Sequence, residues 1–187
     1  FPIRYLFRRR MADSGGAGKY RGGTGMEFAV VPHDAPDGGI HYVISGKGDD
    51  FPMSDGLSGG YPGAPNGYIW VHNNEAEESL SNVNSEFART LEEISGEHED
   101  VTWGVFPLLG KDALYIRWNG GGGFGDPLER DPEAVLADYL DKTISLDSAR
   151  RIYGVAFDDG ITAIDDQKTA GLRKDIYAER VTLEAAE

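Results

Sequence analysis

Three glycine runs set the terms on which this chain can fold. The first is Asp13-Ser14-Gly15-Gly16-Ala17-Gly18-Lys19-Tyr20-Arg21-Gly22-Gly23-Thr24-Gly25. The second is Asp55-Gly56-Leu57-Ser58-Gly59-Gly60-Tyr61-Pro62-Gly63-Ala64-Pro65-Asn66-Gly67, and the third is Gly120-Gly121-Gly122-Gly123-Phe124-Gly125-Asp126-Pro127. Glycine makes up 26 of the 187 residues, about twice the usual ~7%. Lacking Cβ, it is used where a chain turns sharply or where backbone crosses backbone closely.

Each run has a chemical and a structural reading. In the first, bare N–H groups beside Lys19 and Arg21 could cradle a phosphate. The Walker spacing fails, because Tyr20 follows Gly18-Lys19 and Asp13 stands five residues before Gly18; a tight loop between strands fits as well. In the third run, Gly120, Gly122 and Gly125 satisfy GxGxxG after a credible strand. A dinucleotide site also needs a helix to open inside the motif. Pro127 and Pro132 leave room for one turn at most, because the second proline disfavours helix at Asp131, so the match reads as a by-product of four consecutive glycines. The second run fixes an irregular loop that offers Asp55, Ser58, Tyr61 and Asn66 but specifies no reaction.

Between the runs, short β-branched and aromatic stretches predict strands at Ile3–Phe7, Met26–Val31, Ile40–Ser45, Tyr68–His72, Val101–Leu108 and Ala113–Trp118. Helices do not alternate with them regularly, so a doubly wound parallel sheet is not expected. One helix near 76–95 is expected from Leu80, Val83, Phe87, Leu91 and Ile94, whose spacing puts them on one face. Gly96 would stop it. The last third reads as helical. Asp131-Pro132 is an N-cap with proline at the first turn, and Ser145 caps a helix through Arg151 closed by Gly154. Val155–Phe157 and Ile161–Ile164 flank an Asp158-Asp159-Gly160 turn, and a final helix starts at Asp165 or Asp166 and runs to about Glu184. The expected fold is α+β: a β-rich mixed or antiparallel sheet, sandwich- or barrel-like, with one inserted helix and a helical C-terminal third. The expected organisation is a glycine-loop domain over 1–125 and a helical segment over 126–187 packed on it as one structural unit.

The formal net charge is −14, which argues against general nucleic-acid binding, since neutralising phosphates needs a basic surface. The first 25 residues carry six cations against Asp13. Tyr5, Leu6 and Phe7 among them indicate a folded head whose arginines pair carboxylates of this chain or of a partner. No apolar run is long enough to span a bilayer. With no cysteine, disulfides, thiolate nucleophiles and Cys-ligated metals are excluded. The histidines are His33, His41, His72 and His98, with no HExxH and no close pair. His33, Asp34, Asp37 and His41 could meet across a hairpin as an oxygen-and-imidazole metal site, although structural or surface histidines explain them more simply. No GxSxG elbow accompanies Ser14, Ser54 or Ser58.

Taken together, the three glycine runs, the extension Asp126-Pro127-Leu128-Glu129-Arg130-Asp131-Pro132 and the stretch Ser145…Ala149-Arg150-Arg151-Ile152-Tyr153-Gly154-Val155 resemble the hydantoinase B family. The four blocks occur in the family's order over nearly the whole chain. The resemblance implies a subunit, or a fragment corresponding to the C-terminal third or so of one, of an ATP-dependent multi-subunit enzyme. One branch carboxylates ketones such as acetone and acetophenone with bicarbonate through a phosphoryl-activated enol. Another hydrolyses cyclic amides such as hydantoins, 5-oxoproline and lactams. The elaborated segment Pro32–Pro52 with Tyr68-Ile69-Trp70-Val71-His72 leans towards the carboxylases. A non-catalytic assembly domain of such a complex is a third reading.

The resemblance further implies ATP and a divalent metal, held mainly by a hydantoinase A-like partner or by the N-terminal part of the family subunit. It implies a cytoplasmic location, a small-molecule substrate and no turnover by this chain alone. The start at Phe1 is read as a chain that begins inside a larger product. The candidate site residues are the polar members of the glycine blocks: Asp13, Ser14, Arg21, Asp55 and Asp126. Arg21 would clamp an anionic substrate or phosphate, and Asp55 would position a base or metal. Asp13 and Asp126 serve equally as loop-locking residues.

Overall fold

A computed structural model describes residues 1–35, 39–46, 48–49, 51–74 and 88–184. The chain forms two compact units, each assembled from three separate segments. A sheet unit takes Phe1–Met11, Gly25–Met53 and Pro65–Asn119. A glycine unit takes Ala12–Thr24, Ser54–Ala64 and Gly120–Glu187. Most of each glycine run therefore groups with the C-terminal helices, whereas a reading in chain order puts the runs with the strands.

Among the described residues, the sheet unit holds seven strands: β1 (Ile3–Arg10), β2 (Met26–Pro32), β3 (Ile40–Ile44), β4 (Gly67–His72), β5 (Glu97–Asp100), β6 (Gly104–Leu108) and β7 (Ala113–Arg117). Five of them form an antiparallel sheet in the order β1-β2-β7-β4-β5, and β3 pairs with β6 separately. Strand β7 is central and buried on both faces. Leu114 and Ile116 pack with Val30, Tyr68, Ile44 and Leu108, so one face of the large sheet is covered by β3 and β6. Ala113 and Tyr115 alternate to the opposite face, with Ala29, Val31, Val71 and Ile94. Period-two alternation thus serves two cores at once. The expected α+β class holds, in a sandwich-like form: the sheet stays open, with β1 and β5 as its edges, and does not close into a barrel.

Two expectations need correction. The strand expected over Val101–Leu108 breaks at Thr102-Trp103; only Gly104–Leu108 is β6. The preceding Glu97–Asp100 forms β5, fully exposed and with no apolar alternation to reveal it. It is recruited by the open edge of β4, with Ile69 opposite Asp100 and His72 opposite Glu97. His72 Nε2 lies 2.9 Å from Glu99 Oε2 across that pair. An edge strand made of charges blocks further pairing. The helix expected near 76–95 falls partly outside the described residues, at 75–87. Over 88–95 the chain makes turns instead: Leu91 O accepts from Ile94 N at 3.0 Å, and Glu93 Oε2 accepts from Arg89 N at 2.6 Å. Leu91 and Ile94 still point into the core, because a single turn brings positions i and i+3 to one side as a helix does.

The basic head is folded as β1. Its Arg9 Nε donates to Glu27 Oε1 at 2.7 Å, and Tyr115 Oη donates to Glu27 Oε2 at 2.6 Å. Burial and the Glu27 carboxylate together push the Tyr115 phenol well above its ordinary range.

The glycine unit holds a 3-10 turn (Pro127–Glu129) and three helices: α1 (Pro132–Leu140), α2 (Leu146–Arg151) and α3 (Asp166–Glu184). The expected caps are present. Asp131 accepts from Glu133 N at 3.0 Å, and Ser145 Oγ accepts from Ser148 N at 3.1 Å. Val135, Leu136, Ile144, Ala149, Tyr153 and Val155 are buried at the centre of its apolar core. The two strands expected around Asp158-Asp159-Gly160 shrink to one bridge, Phe157 to Ile164. The Asp158 carboxylate closes that loop, accepting from Thr162 N at 2.7 Å, Thr162 Oγ1 at 2.9 Å and Ala163 N at 3.0 Å. These bonds hold its carboxyl below the ordinary range.

Candidate functional site

The glycine unit gathers three segments that are far apart in sequence. Residues 120–125 run through the middle, and the other two runs surround them. Gly121 O accepts from Gly16 N at 2.8 Å, and Gly121 N donates to Gly23 O at 2.9 Å. Phe124 and Tyr20 exchange two bonds of 2.9 Å. On the side of the second run, Gly120 N donates to Ala64 O at 3.0 Å, Gly123 N to Tyr61 O at 2.9 Å and Gly125 N to Leu57 O at 2.9 Å. The segments lie so close that side chains are excluded between them. A Cβ on Gly120 would overlap the Ser14 carbonyl oxygen, and one on Gly123 the Ala17 carbonyl oxygen. The obstacles are backbone, which cannot swing aside. The crowding resembles the collagen axis, where only glycine fits.

This geometry decides what the runs can do. An anion cradle needs free amides aimed at the ligand. Here the amides of Gly16, Gly22, Gly60, Gly63, Gly120, Gly121, Gly123 and Gly125 all donate to backbone carbonyls. The GxGxxG match leads into a three-residue 3-10 turn rather than a helix whose N-terminus faces a pyrophosphate. These eight amides are therefore taken up by the bundle itself and do not fit the phosphates of ATP. For a metal, no group of three or more His, Asp or Glu side chains comes together among the described residues. His33 Nε2 is engaged 2.6 Å from Arg4 Nη2, and Asp37 lies outside the described residues. Among the described residues, the donors present do not fit a resident divalent ion.

The candidate site residues divide by surroundings. Asp13 adopts φ +59; its N donates to Thr143 O at 3.0 Å, and its Oδ1 accepts from Ser145 N at 2.8 Å, which fastens the first run to the start of α2. Ser14 is buried, and its carbonyl accepts from Ala64 N at 2.8 Å. Arg21 makes a fork on Asp138, with Nε to Oδ2 and Nη2 to Oδ1 both 3.1 Å, and its Nη1 donates to Gly22 O at 2.6 Å. Asp126 Oδ1 caps Leu128 N at 2.9 Å and accepts from Arg180 Nη1 at 3.0 Å. Asp55 is exposed, with its carbonyl against Gly122.

Asp13 and Arg21 are thus near neighbours in the fold, while Asp55 and Asp126 serve other parts of the unit. Sequence reasoning missed the partner that organises Arg21. Asp138 on α1 also receives Arg130 Nη2 at 2.8 Å and Thr143 Oγ1 at 3.3 Å. One acid beside the apolar stripe of α1 was the only signal, and nothing local ties it to residue 21. Beside this cluster, the Tyr153 phenol is buried without a hydrogen-bond partner, and burial pushes it up to about 12. A cavity of about 110 Å³ opens nearby, lined by Asp13, Gly16, Tyr61, Ile144, Ser148 and Tyr153 among others. At one end of the glycine bundle, each run contributes one large exposed apolar residue. Tyr20, Leu57 and Phe124 lie side by side through the Tyr20–Phe124 and Leu57–Phe124 bridges.

Comparison with known proteins adds the following. The family described as Hydantoinase B/oxoprolinase matches residues 1–127. The acetone carboxylase alpha subunit of Xanthobacter autotrophicus is 30% identical over 96% of this chain and 25% of its own length. The caprolactamase subunit beta of Pseudomonas jessenii is 31% identical over 90% of this chain and 26% of its own. A solved nucleotide-free structure of acetone carboxylase superposes with a TM-score of 0.76 at 27% identity, covering 97% of this chain and 25% of that one. The ATP-dependent caprolactamase of P. jessenii gives 0.59 at 26% identity, covering 93% and 26%. The chain spans about a quarter of the length of the curated relatives it matches.

Proposed function

The chain belongs to the hydantoinase B/oxoprolinase family, and from that premise we propose that it works as one module of an ATP-dependent, multi-subunit enzyme that carboxylates a small ketone with bicarbonate. The observation that carries the carboxylase branch is the fold match over nearly the whole chain, at a TM-score of 0.76 to acetone carboxylase against 0.59 to caprolactamase. In this reading ATP and any divalent metal are handled by a hydantoinase A-like partner and by the remainder of the family subunit. The engaged amides of the glycine bundle support that division of labour. The complex is cytoplasmic, and this chain alone has no turnover.

The test is an assay of the complex purified with this chain. Ketone-dependent and ATP-dependent fixation of labelled bicarbonate is the expected result. ATP-dependent opening of a cyclic amide, with no fixation, would move the protein to the amidohydrolase branch. Turnover by the isolated chain would contradict the division of labour.

A second reading, an assembly module without catalytic residues, draws support from the same bundle. Asp13, Arg21 and Asp126 are each engaged in holding the unit together, and Tyr20, Leu57 and Phe124 offer a rigid apolar contact point. It is distinguished by Arg21→Ala in the assembled enzyme. A fall in kcat/KM beyond the loss of assembled complex supports a site role, and unchanged kcat/KM supports the assembly role.

A further inference from the structure

The two-stranded sheet of β3 and β6 has one face in the core and one facing out. Ile44 and Leu108 are buried inward, with Ile40, Tyr42 and Phe106 packed beside them. On an antiparallel pair with one solvated face, the outward positions ordinarily read polar. Here Val43 stands directly opposite Val105, and the two are 61% and 62% exposed. Trp103, two residues before Val105, is 76% exposed. It continues into a groove of about 640 Å³ whose walls include Phe51 and Met53, both exposed. Leu109, just past the end of β6, is also exposed. Trp103, Phe51 and Met53 thus form an exposed apolar group at the groove, where Asp49 is the one ionised side chain among the described lining residues; beside the Val43–Val105 pair, the outward face continues with the exposed pair His41 and Pro107. Protein surfaces seldom expose large apolar side chains together unless something covers them, and tryptophan is enriched among the residues that anchor interfaces.

We propose that this face of β3 and β6, with the Trp103 groove, is where the sheet unit docks against the part of a hydantoinase B-type subunit that this chain does not span. The inference rests on the module reading given above. Two observations select this occupant. The relatives carry the matched region within polypeptides about four times as long, so a body three times the size of this chain has to contact it. A second copy of this chain is disfavoured, since two chains of net charge −14 repel as they approach. Among the described residues of the face, the titratable side chains are His41 and Asp49 and the rest are mostly apolar, which suits a permanent interface rather than a steered, transient one.

The test uses the assembled complex from the organism that carries the chain. A photo-cross-linking benzoylphenylalanine is placed at position 43 in one preparation and at 105 in another, both sites being exposed. The expected result is cross-linked peptides from hydantoinase B-type sequence outside the matched quarter, whether that sequence is on the same polypeptide or a separate one. Adding Val105→Asp to the position-43 probe should reduce that cross-link at least tenfold while the melting temperature of the chain stays unchanged. Cross-links to a second copy of this chain or to a hydantoinase A-like subunit would overturn the docking assignment, as would no cross-link in an intact complex. A preparation in which no hydantoinase-type sequence accompanies the chain would instead sink the module reading itself.

Discussion

In the sheet unit, side chains fill the space between two layers of backbone; in the glycine unit, three short backbone stretches fill the space themselves. Strand β7 shows the first arrangement. Its Leu114 and Ile116 serve one core and its Ala113 and Tyr115 the other, so stability there is a sum of buried apolar area. Residues 120–125 show the second. They bury almost no apolar side chain and are held by amide-to-carbonyl bonds on several sides. A core of side chains can adjust by changing rotamers, whereas stacked backbone has nothing to move. The two units should therefore respond differently to substitution.

The largest effect is expected for Gly120→Ala. Its Cβ would overlap the Ser14 carbonyl, and a cost above about 3 kcal/mol follows, at the severe end for overpacking. Gly23→Ala is the matched control from the same bundle, with open space at its Cβ. Urea melts of the two variants should differ accordingly; equal stability would break the comparison.

Next comes Ile116→Ala, which empties a fully buried site of the sheet unit and should cost about 2–5 kcal/mol. Ile116→Val should recover most of that, as a rotamer-tolerant core allows. No such graded series exists at Gly120, since alanine is already too large.

The ionic link between the first glycine run and α1 should rank third. Arg21 and Asp138 are each only slightly exposed, so Arg21→Ala should destabilise by about 1–3 kcal/mol, less than a fully buried pair. Arg21→Lys keeps the charge but loses the fork and should recover less than half of the difference in melting temperature.

Alkaline pH probes tyrosines in both units. Burial raises both Tyr42 and Tyr153 from 10.0 to about 12. Raised phenols resist ionisation in the folded chain, so their contribution is complete below pH 10 and is lost as pH climbs from 10 towards 12. The slope should approach about 1.4 kcal/mol per pH unit for each tyrosine. Thermal melts at pH 9, 10, 11 and 12 check the sign; a flat profile would contradict it. The sheet unit also holds the raised phenols of Tyr68 and Tyr115, so Tyr42→Phe and Tyr153→Phe read the share of each of these two residues in the slope.

The smallest effect should be a gain. Gly171 sits inside α3 with open space at its Cβ, so Gly171→Ala should stabilise by about 0.5–1 kcal/mol. Two glycines of one unit then change stability in opposite directions, which ties the penalty at Gly120 to packing rather than to the residue type.

What the sequence made legible follows the same divide. Apolar alternation revealed β2, β4 and β7, and cap chemistry marked Asp131 and Ser145, because those signals are local. Strand β5 stayed hidden because Glu97–Asp100 forms a strand only by virtue of β4's free edge. The glycine runs were visible as runs, but their mutual packing was not, since Gly121 meets Gly16 and Gly23 across about a hundred residues. Arg21 stood out as a cation in a glycine run and was therefore assigned an anionic ligand. Its partner proved to be Asp138, 117 residues away, which no spacing rule connects to it.

The most direct measurement is amide hydrogen exchange of the glycine runs by NMR, with and without magnesium ATP. Strong protection is expected at Gly120, Gly121, Gly123 and Gly125, each bonded to a backbone carbonyl, with no change in their shifts or exchange when nucleotide is added. Fast exchange at these amides, or shifts confined to them on adding nucleotide, would mean that the runs are an open phosphate cradle and would contradict the backbone-packed bundle.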